Sequence, residues 1–202
     1  MGVNVAATVI FAVVTTLTPG PNNILCASSG ALYGYRRTLP FILGIASGFF
    51  TLMLLCGALS TLLSRHITAA TPTLRIIGGL YILWLALGVY RSGAKLLEPS
   101  SEAKPLRFWN GYVLQFVNPK CIFYGLTMYT TFLAPLLGQR FVLAWTPVLL
   151  ALVSFSSVTT WALVGQLIRR WISTPARARA LGVALSLALV YTALDLAGLL
   201  HR

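Results

Sequence analysis

Two short stretches carry the residue types that could bind a small polar solute: "TPGPNN" at residues 18–23 and "QFVNPK" at residues 115–120. Each combines proline, which interrupts a helix and frees backbone carbonyls, with side-chain amides that donate and accept hydrogen bonds. Half-helix N-termini after such breaks also present N–H groups suited to a carboxylate. The predicted binding residues are Pro19, Gly20, Pro21, Asn22, Asn23, Gln115, Asn118, Pro119 and Lys120.

Lys120 is the one basic residue inside a long apolar run. A cation near the middle of a bilayer is costly and almost always faces a cavity or a partner. Lys120 could bind a substrate carboxylate or change its protonation during a cycle. The alternative is that its long stem carries the ammonium group to the membrane surface.

The composition around these stretches is that of a membrane protein. The chain is 57% hydrophobic and 9% charged, whereas a soluble domain carries about 25% charged residues. The net charge of +12 does not indicate a nucleic-acid partner, because the basic residues fall between the apolar runs instead of gathering on one face. The expected surroundings are a lipid bilayer.

Six apolar runs are each long enough to cross a membrane. They predict an all-α polytopic protein with spans at about 3–31, 38–63, 74–90, 108–137, 141–167 and 180–200. Residues 1–17 contain no Lys or Arg, so we expect the first run to be a span and not a signal peptide.

The polar segment 92–107 divides the predicted transmembrane domain into halves at 1–91 and 108–202, with three spans each. An odd number of spans makes the halves enter the membrane in opposite directions, as in an inverted repeat. Ten of the fifteen basic residues lie in the loops after spans 1, 3 and 5. Those loops should be cytoplasmic, with both termini outside.

Both breaks should lie deep in the membrane, in the first helix of each half. A helix climbs about 22 Å between residues 3 and 18 and about 15 Å between 108 and 118, against a hydrocarbon core of about 30 Å. Freed carbonyls at that depth need partners from protein, water or substrate. Prolines also kink packed helices without any binding role, but paired breaks in corresponding places favour a transport site.

Other features leave alternatives open. Asp195 could carry protons or simply lie near the outer surface. Gly44 and Gly48 could pack helices within the chain or support a homo-oligomer. We expect no metal or cofactor, because His66 and His201 lack ligand-spaced neighbours and no phosphate-binding loop is present.

The stretches "TPGPNNIL", "GYRRTLPFILGIASG" and "LQFVNPKCIFYG" resemble the LysE/RhtB family of amino-acid exporters, and the similarity covers nearly the whole chain. The resemblance implies export of small neutral amino acids and metabolites across the bacterial inner membrane, coupled to the proton gradient. It is closest to the branch that exports cysteine and O-acetylserine. Pro19 to Asn22 match one family signature and Asn118 to Lys120 match another, but the family does not lead us to expect an acid at Asp195.

Two other function classes are alternatives to an exporter. Cys26 follows the first break and Cys121 follows the second, so a membrane thiol oxidoreductase could use the two thiols. A scaffold that transports nothing would not account for a lysine beside a broken helix.

Overall fold

The computed structural model describes residues 3–58, 60, 73, 76–77, 79–87, 89–91, 105–136, 139–169 and 174–196. Regular structure in these residues is helical throughout. The elements are α1 (Val5–Leu17), α2 (Pro21–Tyr33), α3 (Tyr35–Ala58), α4 (Gly79–Arg91, apart from residue 88), α5 (Phe108–Val117), α6 (Pro119–Thr127), a π-helical turn (Met128–Phe132), a 3-10 turn (Ala134–Leu136), α7 (Arg140–Arg169) and α8 (Pro175–Leu196).

Two of the described helices are long and apolar enough to cross a membrane alone, at Tyr35–Ala58 and Ala144–Arg169. They correspond to predicted spans 2 and 5. The pair α1 and α2, bent by 47°, would form one more span if it crosses as a unit. Large apolar side chains such as Ile10, Leu149 and Leu152 are exposed on the outside of the helices, as expected for lipid contact. The all-helical membrane fold is therefore established, while the six-span inverted repeat stays a prediction.

Both predicted interruptions are present. Helix α1 ends at Leu17 and α2 begins at Pro21, while α5 ends at Val117 and α6 begins at Pro119. Asn118 between them has φ −91° and ψ 103°, as expected because the residue before a proline is displaced from the helical region. Pro40 and Pro147, by contrast, lie inside α3 and α7 without ending them.

Glycines set the closest helix contacts. A Cβ at Gly30 of α2 would overlap the Ala162 backbone of α7, and one at Gly44 of α3 would overlap the Phe108 backbone at the start of α5. Gly48 makes a similar approach to α5. The Gly44 and Gly48 pair therefore serves packing within the chain, and a homo-oligomer stays a prediction.

The buried apolar residues form two clusters. At each break, the residues before it belong to one cluster and the residues after it belong to the other. Leu25, after the first break, and Leu114, before the second, belong to the first cluster with parts of α3, α4, α7 and α8. Ala12, before the first break, and Ile122, after the second, belong to the second cluster with the rest of α3 and α7. Polar residues of the two breaks thus lie where one apolar cluster gives way to the other.

Candidate functional site

A small cavity of about 40 Å³ lies between the two breaks. Its wall combines residues of both breaks with side chains from α1, α3, α6 and α7. Clefts that bind small molecules typically enclose about 300–1,000 Å³, so this cavity must widen before a solute can occupy it.

Side-chain amides link the two breaks directly. Asn22 Nδ2 donates to Gln115 Oε1 at 2.9 Å, and Gln115 Nε2 lies 3.4 Å from Asn22 Oδ1. Asn118 Nδ2 lies 3.4 Å from the same Asn22 oxygen. Cys121 Sγ donates to Gln115 Oε1 at 3.3 Å. The first half of the chain therefore contacts the second through hydrogen bonds that fix both sets of amides beside one cavity.

The Thr16, Leu17 and Thr18 carbonyls at the end of α1 find donors. Asn23 Nδ2 donates to the Thr16 and Thr18 carbonyls at 2.9 and 3.0 Å. Ser157 of α7 donates to Thr16 O at 3.0 Å, and Trp161 Nε1 donates to Leu17 O at 3.3 Å. The protein itself thus meets much of the cost of an open helix end in an apolar environment.

Lys120 reaches across from the second break to the first. Its ammonium group donates to Thr18 O at 3.0 Å, and the side chain is half-buried. A Cβ at Gly20 would lie only 3.1 Å from Lys120 Nζ. The lack of a side chain at Gly20 therefore makes room for the ammonium group. Among the residues that the structure describes, no carboxylate pairs with this cation, which leaves it able to bind an anionic group.

The two half-helices that start at the breaks differ in their capping. Asn118 Oδ1 accepts a hydrogen bond from Lys120 N at 3.1 Å and so caps α6. Helix α2 begins at Pro21 without a side-chain cap. Uncapped N–H groups and the positive end of the helix dipole attract anions, so the start of α2 beside Lys120 is the more suitable place for a carboxylate.

Residues 13–199 match the family described as LysE type translocator. The chain belongs to the LysE family. It is similar to the cysteine/O-acetylserine efflux proteins of Escherichia coli strain K12 and of Shigella flexneri, at 39% identity over 186 residues, which cover 91% of this chain and 92% of each relative. No solved structure matches the chain significantly.

The cavity of this LysE translocator contains most of the predicted binding residues. Pro19 is exposed away from it, Gln115 is fully buried behind Asn22, and Pro119 is buried without lining it. The six that line the cavity are Gly20, Pro21, Asn22, Asn23, Asn118 and Lys120.

Several wall residues were not predicted as binding residues. Helical spacing could have indicated Tyr124, one turn after Lys120, and Thr16, just before the first break. Nothing in the sequence points to Phe49 or Val158, because their helices meet the site only through tertiary packing. The complete set outside the prediction is Thr15, Thr16, Phe49, Cys121, Tyr124, Ser154 and Val158.

Membership of the LysE family makes the chain a transporter rather than an enzyme, which leaves the thiol-oxidoreductase alternative without support. Cys26 packs in the first apolar cluster and Cys121 in the second, and both are free thiols. Within the described part of the chain no group of side chains could hold a metal ion. The side chain of Asp195 and both histidines lie outside the described residues.

Proposed function

We propose that this translocator exports small neutral amino acids and related metabolites, cysteine and O-acetylserine among them, across the bacterial inner membrane through the cavity between the two breaks. The observation that carries the proposal is the Asn22–Gln115 hydrogen bond, which joins the amides of both halves beside a cavity that Lys120 also lines. The names of the relatives at 39% identity support the substrate class.

The substrate carboxylate takes the Lys120 ammonium group from Thr18 O and lies against the uncapped start of α2. The substrate ammonium group donates hydrogen bonds to the side-chain oxygen of Asn22 and to Thr18 O, which Lys120 has then released. A single cation and no acid among the described wall residues suit a zwitterion, because its carboxylate neutralises the lysine and its ammonium needs only dipoles. Phe49 and Val158 limit the size of the substrate side chain.

The proposed architecture has six spans in two inverted halves, 1–91 and 108–202, joined by a cytoplasmic linker at 92–107, with both termini outside. Helix pairing supports it. Helix α2 of span 1 packs on α7 of span 5, and α5 of span 4 packs on α3 of span 2. Exchanging the halves converts one pair of spans into the other, as an inverted repeat requires.

The cavity lies beside α1 and α6, which in this topology form the outer halves of spans 1 and 4. The inner halves, α2 and α5, make the close glycine contacts with α7 and α3. The conformation is therefore closed toward the cytoplasm, and transport requires these glycine contacts to separate while the outer halves close.

We propose that the proton gradient drives export. Lys120 is the charged group in the described cavity wall, and in this proposal it contacts the substrate directly. Asp195 receives no role in this scheme. Efflux should be faster when the external side of the vesicle is acidic, because protons then enter as substrate leaves.

The test is efflux of labelled O-acetylserine from proteoliposomes, with and without a pH gradient. The combined variant Asn118→Ala and Lys120→Ala should abolish efflux, while Asn4→Ala, which removes a cap at the far end of α1, should retain it. Unchanged efflux by the double variant, at equal protein in the vesicles, would defeat the site assignment. If the double variant loses efflux but efflux by the wild type does not respond to the pH gradient, only the proposed coupling would be defeated.

A further inference from the structure

One phenol in the cavity wall has no hydrogen-bond partner. Tyr124 lies on α6, one turn beyond Lys120, and its side chain is 4% exposed. Its hydroxyl group is buried and forms no hydrogen bond of acceptable geometry. The hydroxyl of Thr16, which donates to Ala12 O, is a polar neighbour of the phenol, but the two hydroxyl groups do not meet in hydrogen-bond geometry.

Packing fixes the Tyr124 ring. The ring stacks on Phe11 with centroids 5.4 Å apart and lies tilted against Phe49 at the same centroid distance. Because these rings hold it, the phenol cannot easily turn away to find water. A buried hydroxyl without a partner is uncommon in folded proteins and calls for an explanation, such as a ligand that supplies the partner.

We propose that the Tyr124 hydroxyl recognises the polar side chain of the substrate, donating a hydrogen bond to a side-chain oxygen or sulfur atom. The proposal rests on the proposed function, in which the cavity binds a small amino acid. With the carboxylate held by Lys120, the side chain of the substrate points along α6 toward the second apolar cluster. One helical turn rises about 5.4 Å, which is the reach of a hydroxyl, thiol or acetyl group on the substrate.

The chain provides a matched control in Tyr129. This phenol is also fully buried, and its hydroxyl also lacks a partner. Unlike Tyr124, it does not line the cavity but packs against the position of Gly57, where an added Cβ would lie 3.0 Å from its ring. Tyr→Phe at either position removes one oxygen atom and leaves the ring in place.

The experiment compares serine, cysteine and 2-aminobutyrate, which share one shape but end in a hydroxyl, a thiol and a methyl group. Each competes with labelled O-acetylserine in proteoliposomes that contain wild type, Tyr124→Phe or Tyr129→Phe. We expect Tyr124→Phe to lower the apparent affinity for serine about 3- to 10-fold, which corresponds to the loss of one neutral hydrogen bond. The apparent affinity for cysteine should fall less, because sulfur is a weak acceptor. The apparent affinity for 2-aminobutyrate should be unchanged.

If Tyr124→Phe lowered the apparent affinities for serine and 2-aminobutyrate equally, the inference would be overturned, since the hydroxyl would then have only a packing role. The inference would also be overturned if the preference for serine over 2-aminobutyrate did not change in Tyr124→Phe. The same holds if that preference fell equally in Tyr129→Phe. Failure of wild type to transport O-acetylserine at all would instead overturn the proposed function, and this inference with it.

Discussion

The ammonium group of Lys120 donates a hydrogen bond to the backbone carbonyl of Thr18, 3.0 Å away and 102 residues earlier in the chain. The contact joins the residue that follows Pro119 to the residue that precedes Pro19. A carbonyl is a neutral partner for a cation, so a carboxylate that entered the cavity would compete for Lys120 on favourable terms.

Removing the charge of Lys120 should impair transport more than folding. We expect Lys120→Met to reduce apparent affinity for O-acetylserine about 10- to 100-fold, because hydrogen bonds to charged groups contribute about 1.5–3 kcal/mol. The measurement is concentration-dependent efflux from proteoliposomes. Arg36→Gln, an exposed cation at the start of α3, is the control. Equal effects of the two substitutions would contradict a specific role for Lys120.

A side chain at Gly20 should act through Lys120. The Cβ of Gly20→Ala would lie 3.1 Å from Nζ and 3.3 Å from Cδ of the lysine, so the flexible end of that side chain must move. We expect a several-fold loss of transport in Gly20→Ala but little further loss when it is added to Lys120→Met, as for two residues in contact. Independent, multiplying losses in the double variant would show that Gly20 matters for another reason.

The amide link between the breaks should contribute to stability. Gln115 is fully buried and bonded to Asn22, so Gln115→Ala leaves the Asn22 amide without its partner. We expect a loss of about 1–3 kcal/mol, the usual cost of an unsatisfied buried polar group. Thermal unfolding in detergent measures it. Asn22→Ala combined with Gln115→Ala should cost less than the sum of the single losses, and strict additivity would argue against the link.

Gly30 should govern the contact between α2 and α7. A Cβ there would overlap the backbone of Ala162, which cannot move aside as a side chain can. We expect Gly30→Ala to lower stability by about 1–3 kcal/mol, the range for overpacking, and to slow transport by disturbing the contact between α2 and α7. Gly20→Ala is the matched comparison, because its Cβ meets only a flexible side chain. Wild-type thermal stability in Gly30→Ala would refute the close contact.

Prediction from the sequence was strongest where the chemistry is local. The break after Leu17 and the break at Asn118 follow from proline, which lacks an N–H group wherever it occurs. The same rule alone does not predict that Pro40 and Pro147 stay inside helices. In those two places the helix continues on both sides, as packed membrane helices allow.

The sequence by itself determined that this is a helical membrane protein with a break in each half, because composition and proline act through short-range chemistry, and the resemblance of its motifs to the LysE family indicated a transporter. The tertiary structure decided which polar groups face the cavity. It directs Asn23 to the carbonyls of α1, places Gln115 behind Asn22, and brings Tyr124 and Phe49 into the wall. These outcomes depend on how far each helix is rotated and how closely it approaches its neighbours. Contacts such as Gly30 against Ala162 set that approach between residues distant in the chain.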